Sequence, residues 1–339
     1  MAINRVVIKD FLVFKGEFTA DFCTGVNVII GSNGTGKTTL MRVMYSSEDI
    51  ADYKPYALES INLGDYFNVN MMKKVFADEY KVRFFSNDVS YKSEYEIDFK
   101  TDDTYYDGLN NIIPQIVVEC NGHFDTVFIP SIEILSHAKG LLALYHDREI
   151  SFDKTEINLL AKAEKGAKRE VSDLANKILN KLSSIMGGDV IYKNGDFFVN
   201  RKCIGEIKFS LEASGYRKLG LLWKLLRNGL FEGDSILFWD EPENSLNPEL
   251  VPILVDILLE LSRNGVQIFI ATHSEILARY FAVNRSKDDI VQFTSLYKDG
   301  DRIKTDTSDR FDLLRPNRLS SEPVKLYERE IVKGLGGDA

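Results

Sequence analysis

At 339 residues, with 44% hydrophobic and 27% charged positions, the chain has the composition of a folded globular protein, which excludes wholesale disorder. The net charge of -9 excludes a surface that coats nucleic acid throughout, because phosphate neutralisation needs an excess of Lys and Arg; a local basic groove stays open. No apolar run is long enough to span a bilayer, and Met1-Ala2-Ile3-Asn4-Arg5 lacks the apolar core of a signal peptide, so the sequence reads as cytoplasmic with no membrane partner.

Residues 3–9 and 26–30 are short β-branched runs, and the second, Val26-Asn27-Val28-Ile29-Ile30, is apolar enough for a strand covered on both faces. A glycine-rich loop follows, then a helix from about Thr38. Cys23, Cys120 and Cys203 are scattered without Cys-x-x-Cys spacing and read as small buried thiols, not as a zinc or redox set. Between 80 and 129, Lys81-Val82-Arg83-Phe84-Phe85, Tyr95-Glu96-Ile97-Asp98-Phe99 and Ile116-Val117-Val118-Glu119-Cys120 are strand-like and separated by Asp, Asn and Gly, which predicts a β-rich subdomain. Residues 130–185 turn helical and charged and end at Met186-Gly187-Gly188, too short for long coiled-coil arms. Tyr192 to Phe197 predicts a hairpin turning at Asn194-Gly195.

Leu219, Leu222, Trp223 and Leu226 recur at the spacing of one helical face that ends at Asn228-Gly229. A buried strand over Ser235–Trp239, a helix carrying Leu250, Leu254, Ile257 and Leu258, and a strand over Val266–Ala271 follow. Strands alternating with helices imply an α/β fold on a mainly parallel sheet. We divide one composite domain into an N-terminal lobe (1–129), a helical insertion (130–190) and a C-terminal lobe (191–339).

Gly31-Ser32-Asn33-Gly34-Thr35-Gly36-Lys37-Thr38-Thr39 fits the P-loop pattern G-x-x-x-x-G-K-[ST] in full, in the strand-to-helix context it requires. Its glycines let successive amides turn inward at phosphates, with the helix N-terminus adding positive potential. Lys37 is placed to reach the β- and γ-phosphates of ATP, and Thr38 to hold Mg2+. Ser235-Ile236-Leu237-Phe238-Trp239-Asp240-Glu241 is an apolar strand ending in paired carboxylates: Asp240 for the metal, Glu241 for the attacking water. Glu243 or Asn244, just beyond, are candidates for helix capping. His273 follows the strand Val266–Ala271, where ligands of open α/β sheets bind, and is assigned a γ-phosphate contact.

In order, these elements resemble the ABC-type ATPases: P-loop, long insertion, Glu212-Ala213-Ser214-Gly215-Tyr216-Arg217-Lys218, Trp239-Asp240-Glu241-Pro242-Glu243-Asn244-Ser245-Leu246-Asn247-Pro248 and Thr272-His273. Asn33-Gly34 and the β-rich segment are more similar to the SMC and OLD branch than to the transporter branch. Bacterial AAA-family ATPases of OLD-like type, many encoded in anti-phage defence systems of which PARIS is one, are the nearest resemblance.

The resemblance implies a P-loop NTPase fold of the ABC type and a head-to-tail homodimer or higher homo-oligomer. Each ATP would be read by one subunit's P-loop and by the other's signature helix, starting here at Ser214-Gly215, with Asn244 to Asn247 as the D-loop. Two departures stand out. Glu212-Ala213 replaces the usual Leu-Ser, which removes the hydroxyl expected at the γ-phosphate unless Ser214 substitutes, and implies slow hydrolysis. No glutamine fills the Q-loop, since Gln115 precedes its strand; Ser131 or Glu133, just after Pro130, are candidates.

Phe11 and Phe14 could stack on adenine or pack in the core. Lys162, Lys165, Lys168, Arg169, Lys177 and Lys181 could track a nucleic-acid backbone or form a solvated helix face, with Glu164, Glu170 and Asp173 interleaved among them. After Asp289 about fifty residues remain, fewer than the Toprim nuclease domain of OLD proteins needs, so an effector, nuclease or toxin, is expected on a separate protein. The leading expectation is an ATPase switch that dimerises on ATP and controls that effector. A low-turnover ATP-bound scaffold that sequesters a toxic effector is the alternative, and the nucleotide-binding subunit of a transporter a weaker one.

Overall fold

A computed structural model describes residues 2–52, 79–88, 91–100, 115–121, 125–146 and 153–334. The N-terminal part runs β1 (Ala2–Phe11), β2 (Phe14–Asp21), β3 (Val26–Gly31), α1 (Lys37–Asp52), β4 (Glu79–Asp88), β5 (Tyr91–Lys100), β6 (Gln115–Asn121) and β7 (Asp125–Ile129). Then come α2 (Leu141–His146), α3 (Lys154–Glu164), α4 (Asp173–Met186), β8 (Asp189–Lys193), β9 (Asp196–Arg201) and β10 (Gly205–Lys208). The C-terminal part runs α5 (Ser214–Arg227), β11 (Ser235–Asp240), α6 (Val251–Arg263), β12 (Val266–Thr272), α7 (Glu275–Asn284), β13 (Val291–Asp299), β14 (Arg302–Ser308) and α8 (Arg318–Gly334).

The central sheet has six strands in the order β14-β13-β3-β12-β11-β7, all parallel except the edge strand β14. Every residue of β3, β11 and β12 is buried, which explains why these strands are continuous apolar runs with no alternation. A second sheet, β2-β1-β6-β4-β5, supplies the β-rich part, and a three-stranded sheet, β10-β9-β8, lies beside the helices. Its hairpin turns at Asn194 (φ 56) and Gly195 (φ 77), both left-handed as a type I′ turn requires.

Two cores flank the central sheet. One packs α1 and the β1–β2 pair against Phe128, Phe238 and Phe269, whose rings on neighbouring strands pair with centroids 6.3 and 4.9 Å apart. The other buries the faces of α3, α4, α5 and α6. Two buried amides of the central strands are satisfied by main chain: Asn27 exchanges 2.9 Å bonds with the N–H and C=O of Cys23. Gln267 accepts from the Ile3 N–H at 2.8 Å and donates to the carbonyls of Ile3 and Cys23 at 2.8 and 2.7 Å, so that one side chain stitches β1 to β12.

Among the described residues no helix is long and apolar enough to cross a membrane. Cys23 is a free, half-buried thiol and Cys203 a free, exposed one, which corrects the expectation of burial for the latter; the Cys120 side chain lies outside the described residues.

Candidate active site

Parallel pairing brings the carboxyl ends of three strands to one edge: Ile30 stands beside Thr272, and Asp240 beside Ala271. At such an edge the chain must leave the sheet, and its loops form a crevice. The loop after β3 curls with left-handed glycines at Gly34 (φ 74) and Gly36 (φ 89). At Gly36 a Cβ would stand 2.7 Å from Val13 Cγ2 and 2.8 Å from Phe14 Cζ, so only glycine fits. Ser32 is half-buried, Asn33 and Gly34 are exposed, Thr35 is buried, and Thr38 and Thr39 are half-buried. Thr35 Oγ1 donates to the Ser32 carbonyl at 2.8 Å and fixes the curl.

Lys37, only 6% exposed, donates its ammonium to the carbonyl of Gly31 at 2.8 Å and of Ser32 at 3.3 Å. Burial pulls its pKa down to about 8, against the opposing pull of Asp240, Glu241 and Glu243. Thr38 Oγ1 donates to Asp240 Oδ2 at 2.8 Å, joining the start of α1 to the end of β11. Burial pushes the Asp240 carboxyl above its ordinary range, with Thr38 working against it.

Glu241 adopts a left-handed conformation (φ 47), its N–H donating to the Ala271 carbonyl at 2.8 Å. Its carboxylate, one third exposed, stands 3.5 Å from Nε2 of His273. Burial, then the Lys37 charge, lowers the pKa of His273, so the imidazole is neutral at neutral pH. Glu243 is not a helix cap. It accepts from Thr272 Oγ1 at 2.5 Å and from the His273 N–H at 3.3 Å, and its buried Oε2 has no partner. Burial raises its pKa as well. Capping falls instead to Asn247 at the 3-10 turn before α6 and to Ser274 at α7.

The expected signature residues open α5, whose first residue is Ser214 and whose N-cap, Ala213, offers no side-chain bond. Ser214 is exposed, and its Oγ lies 3.4 Å from the Ser245 carbonyl; a Cβ on Gly215 would stand 3.2 Å from the same oxygen. The N-terminus of α5 therefore rests on the Asn244–Asn247 loop. Glu212 is buried and pairs with Arg201 at 2.8 Å, and Arg201 also donates to the Met186 carbonyl at 3.1 Å. A charge stands where the pattern has leucine because it is matched by a nearby guanidinium.

Of the two Q-loop candidates, Glu133 is held inside the subunit, 3.4 Å from Arg217 of α5 and accepting from the Ser136 N–H at 3.1 Å. Ser131 is half-buried. Phe11 and Phe14 are 1% and 0% exposed, and Phe14 forms the floor beneath Gly36, so they pack in the core and offer no face to a base. Lys162 binds the Thr126 carbonyl, Lys168 pairs with Glu232, and Lys177 pairs with Glu260 at 2.8 Å. Lys168 and Lys177 belong to a solvated, internally paired surface, while Lys162 is turned inward.

Two lysines escaped sequence reasoning. Lys218 of α5 is 5% exposed and donates to the Glu241 carbonyl at 2.7 Å. Lys298, exposed at the end of β13, has its Nζ 3.9 Å from the point a Cβ on Gly34 would occupy. The hint for Lys218 was a lysine inside the apolar face of a helix; for Lys298 no local signal existed.

A sequence model of the family described as "AAA domain, putative AbiEii toxin, Type IV TA system" matches residues 26–279, and one described as "AAA domain" matches residues 5–45. Among curated proteins, the structural maintenance of chromosomes protein 3 homolog of Plasmodium falciparum (isolate 3D7) is 38% identical over 55 residues, 16% of this chain and 5% of that protein. Among solved structures, an SMC head bound to the C-winged helix domain of ScpA matches with a TM-score of 0.52 at 13% identity, covering 91% of this chain and 98% of that one. An ATP-binding cassette of an ABC transporter gives a TM-score of 0.47 at 17% identity, covering 96% and 99%. The fold is that of an α/β P-loop NTPase, as in the SMC head.

Proposed function

The chain belongs to the family of AAA domains whose model spans residues 26–279, and from that membership we propose that it is an ATP-binding and ATP-hydrolysing switch which closes as a homodimer or higher homo-oligomer on nucleotide and controls a separate effector protein. The observation that carries the reading is the convergence of Lys37, Thr38, Asp240, Glu241 and His273 at one sheet edge, joined by the 2.8 Å Thr38–Asp240 bond and the 3.5 Å Glu241–His273 contact.

The loop amides and Lys37 bind the triphosphate, with the positive end of α1 behind them. Thr38 and Asp240 suit Mg2+: both are hard oxygen donors, already in contact, and the buried carboxylate is short of positive charge. Held by these two residues, Mg2+ would supply charge neutralisation for the phosphates. Glu241 takes a proton from the attacking water, and neutral His273 beside it contacts the γ-phosphate and holds the carboxylate's orientation. Ser214, exposed at the N-terminus of α5, and Gly215, buried behind it, aim their amides at the partner's γ-phosphate.

The matched family's description names a toxin of a type IV toxin–antitoxin system, and the SMC head was solved with ScpA bound. Both support a partner-controlling role, and the resemblance to defence ATPases points to anti-phage defence or DNA transactions. Phosphate release by the parent and by Glu241→Gln tests the enzyme reading, and a parent no faster than the variant would overturn it. A second reading, a low-turnover scaffold that holds ATP and sequesters its effector, is favoured by the missing hydroxyl at Ala213.

A further inference from the structure

We infer that Lys218 is a positioning residue for Glu241: its ammonium fixes the Glu241 main chain in the left-handed conformation that aims the carboxylate at His273, and thereby links the exposed start of α5 to the subunit's own water-activating group. This rests on the ATPase reading above and adds a residue that reading does not use.

Left-handed backbone is disfavoured for a residue bearing a Cβ, so surrounding contacts must impose it on Glu241 (φ 47). They grip both of its peptides. The Glu241 N–H donates to Ala271 at 2.8 Å, while its carbonyl accepts from the Asn244 N–H at 3.0 Å and from Lys218 Nζ at 2.7 Å. The first two bonds lie within the strand edge and its turn. Lys218 is the partner that comes from a helix.

A lysine is a costly choice for simple packing. Lys218 is 5% exposed on a helix where Leu219, Leu222 and Leu226 fill the same core, and burial drags its pKa down to about 8 even with three carboxylates pulling the other way. The charges of Glu243, Glu241 and Asp240 offset that penalty, yet the hydrogen bond goes to a main-chain carbonyl and not to a carboxylate. The group is therefore spent on backbone geometry at the catalytic strand end.

Its place on α5 gives the bond direction. Lys218 lies one turn after Ser214, and Gly215 rests against the Ser245 carbonyl. A shift of the helix start, as when its amides meet a phosphate, moves the ammonium that holds Glu241. An atom displaced by about 1 Å at a reacting centre costs on the order of 100-fold in rate.

The test compares steady-state phosphate release, ATP affinity and thermal melting for the parent, Lys218→Met and Lys218→Gln, each also made in the Glu241→Gln background. Lys218→Met should lose about 10- to 100-fold in kcat with ATP affinity within about twofold, and Lys218→Gln, which keeps a neutral donor, should fall between. In the Glu241→Gln background the same changes should cost less than about twofold, because there is no base left to position. An equal fractional loss in both backgrounds, a loss confined to affinity, or no loss would overturn the role. Should Lys218→Met fail to fold, the Lys218→Gln pair decides by the same background criterion. A parent no faster than Glu241→Gln would overturn the ATPase reading itself, an outcome distinct from a parent that turns over and is indifferent to Lys218→Met.

Discussion

The hydroxyl of Thr38 donates to the carboxylate of Asp240 at 2.8 Å across 202 positions of sequence, so the start of α1 and the end of β11 are already in contact. Because Asp240 is buried and its pKa raised, its negative charge is costly to the unliganded fold. Asp240→Asn should therefore leave the melting temperature unchanged or higher while cutting Mg2+-dependent phosphate release by about 100-fold, an effect of the size seen when charge stabilisation at a reacting centre is removed. Differential scanning fluorimetry and a magnesium titration of the rate check the two halves separately.

Lys37 gives a pH signature. Its pKa of about 8 lies below the ordinary 10.5, so between these values the unfolded chain binds the proton better, and this group's contribution makes the free protein more stable as pH rises. Bound triphosphate reverses the sign by favouring the ammonium. Nucleotide binding near pH 9 should thus take up a proton, and affinity should fall as pH rises above about 8. Calorimetry in two buffers of different ionisation enthalpy measures the uptake, and a buffer-independent heat at that pH would contradict it.

Gln267 closes three main-chain bonds between β1, the Cys23 loop and β12 while 1% exposed. Gln267→Leu keeps the volume and strands those groups, at a cost of about 2–3 kcal/mol. Chemical denaturation should report that loss with little change in the denaturant slope.

Ala213 is exposed at the N-cap of α5, so restoring the hydroxyl should be nearly neutral for stability. If hydrolysis is limited by its absence, Ala213→Ser should raise phosphate release several-fold at saturating ATP. A flat response would favour the scaffold reading.

How far the sequence revealed this site depended on how far apart its parts lie. The P-loop and Asp240-Glu241 are contiguous motifs at the ends of apolar runs, and the central strands announce themselves because burial on both faces leaves mostly apolar residues. Lys218 did not, since its partner is a main-chain carbonyl 23 residues away, and no side-chain pattern records that. Glu212 looked like a lost leucine until Arg201 was found opposite it, and Glu243 looked like a cap until Thr272 occupied it. The strand β2 hid in a short alternation, Phe14, Phe18 and Ala20 inward with charged or polar neighbours outward, too brief to outweigh the glycine within it.

Phe14 pressing on Gly36 means that the phosphate loop does not own its curvature. A graft carrying only β3, the loop and α1 into another scaffold would leave behind the ring that backs the tightest glycine, and with it the shape of the cradle. The loop travels only with the tip of the β1–β2 hairpin, so the smallest transplantable grip draws on two sheets.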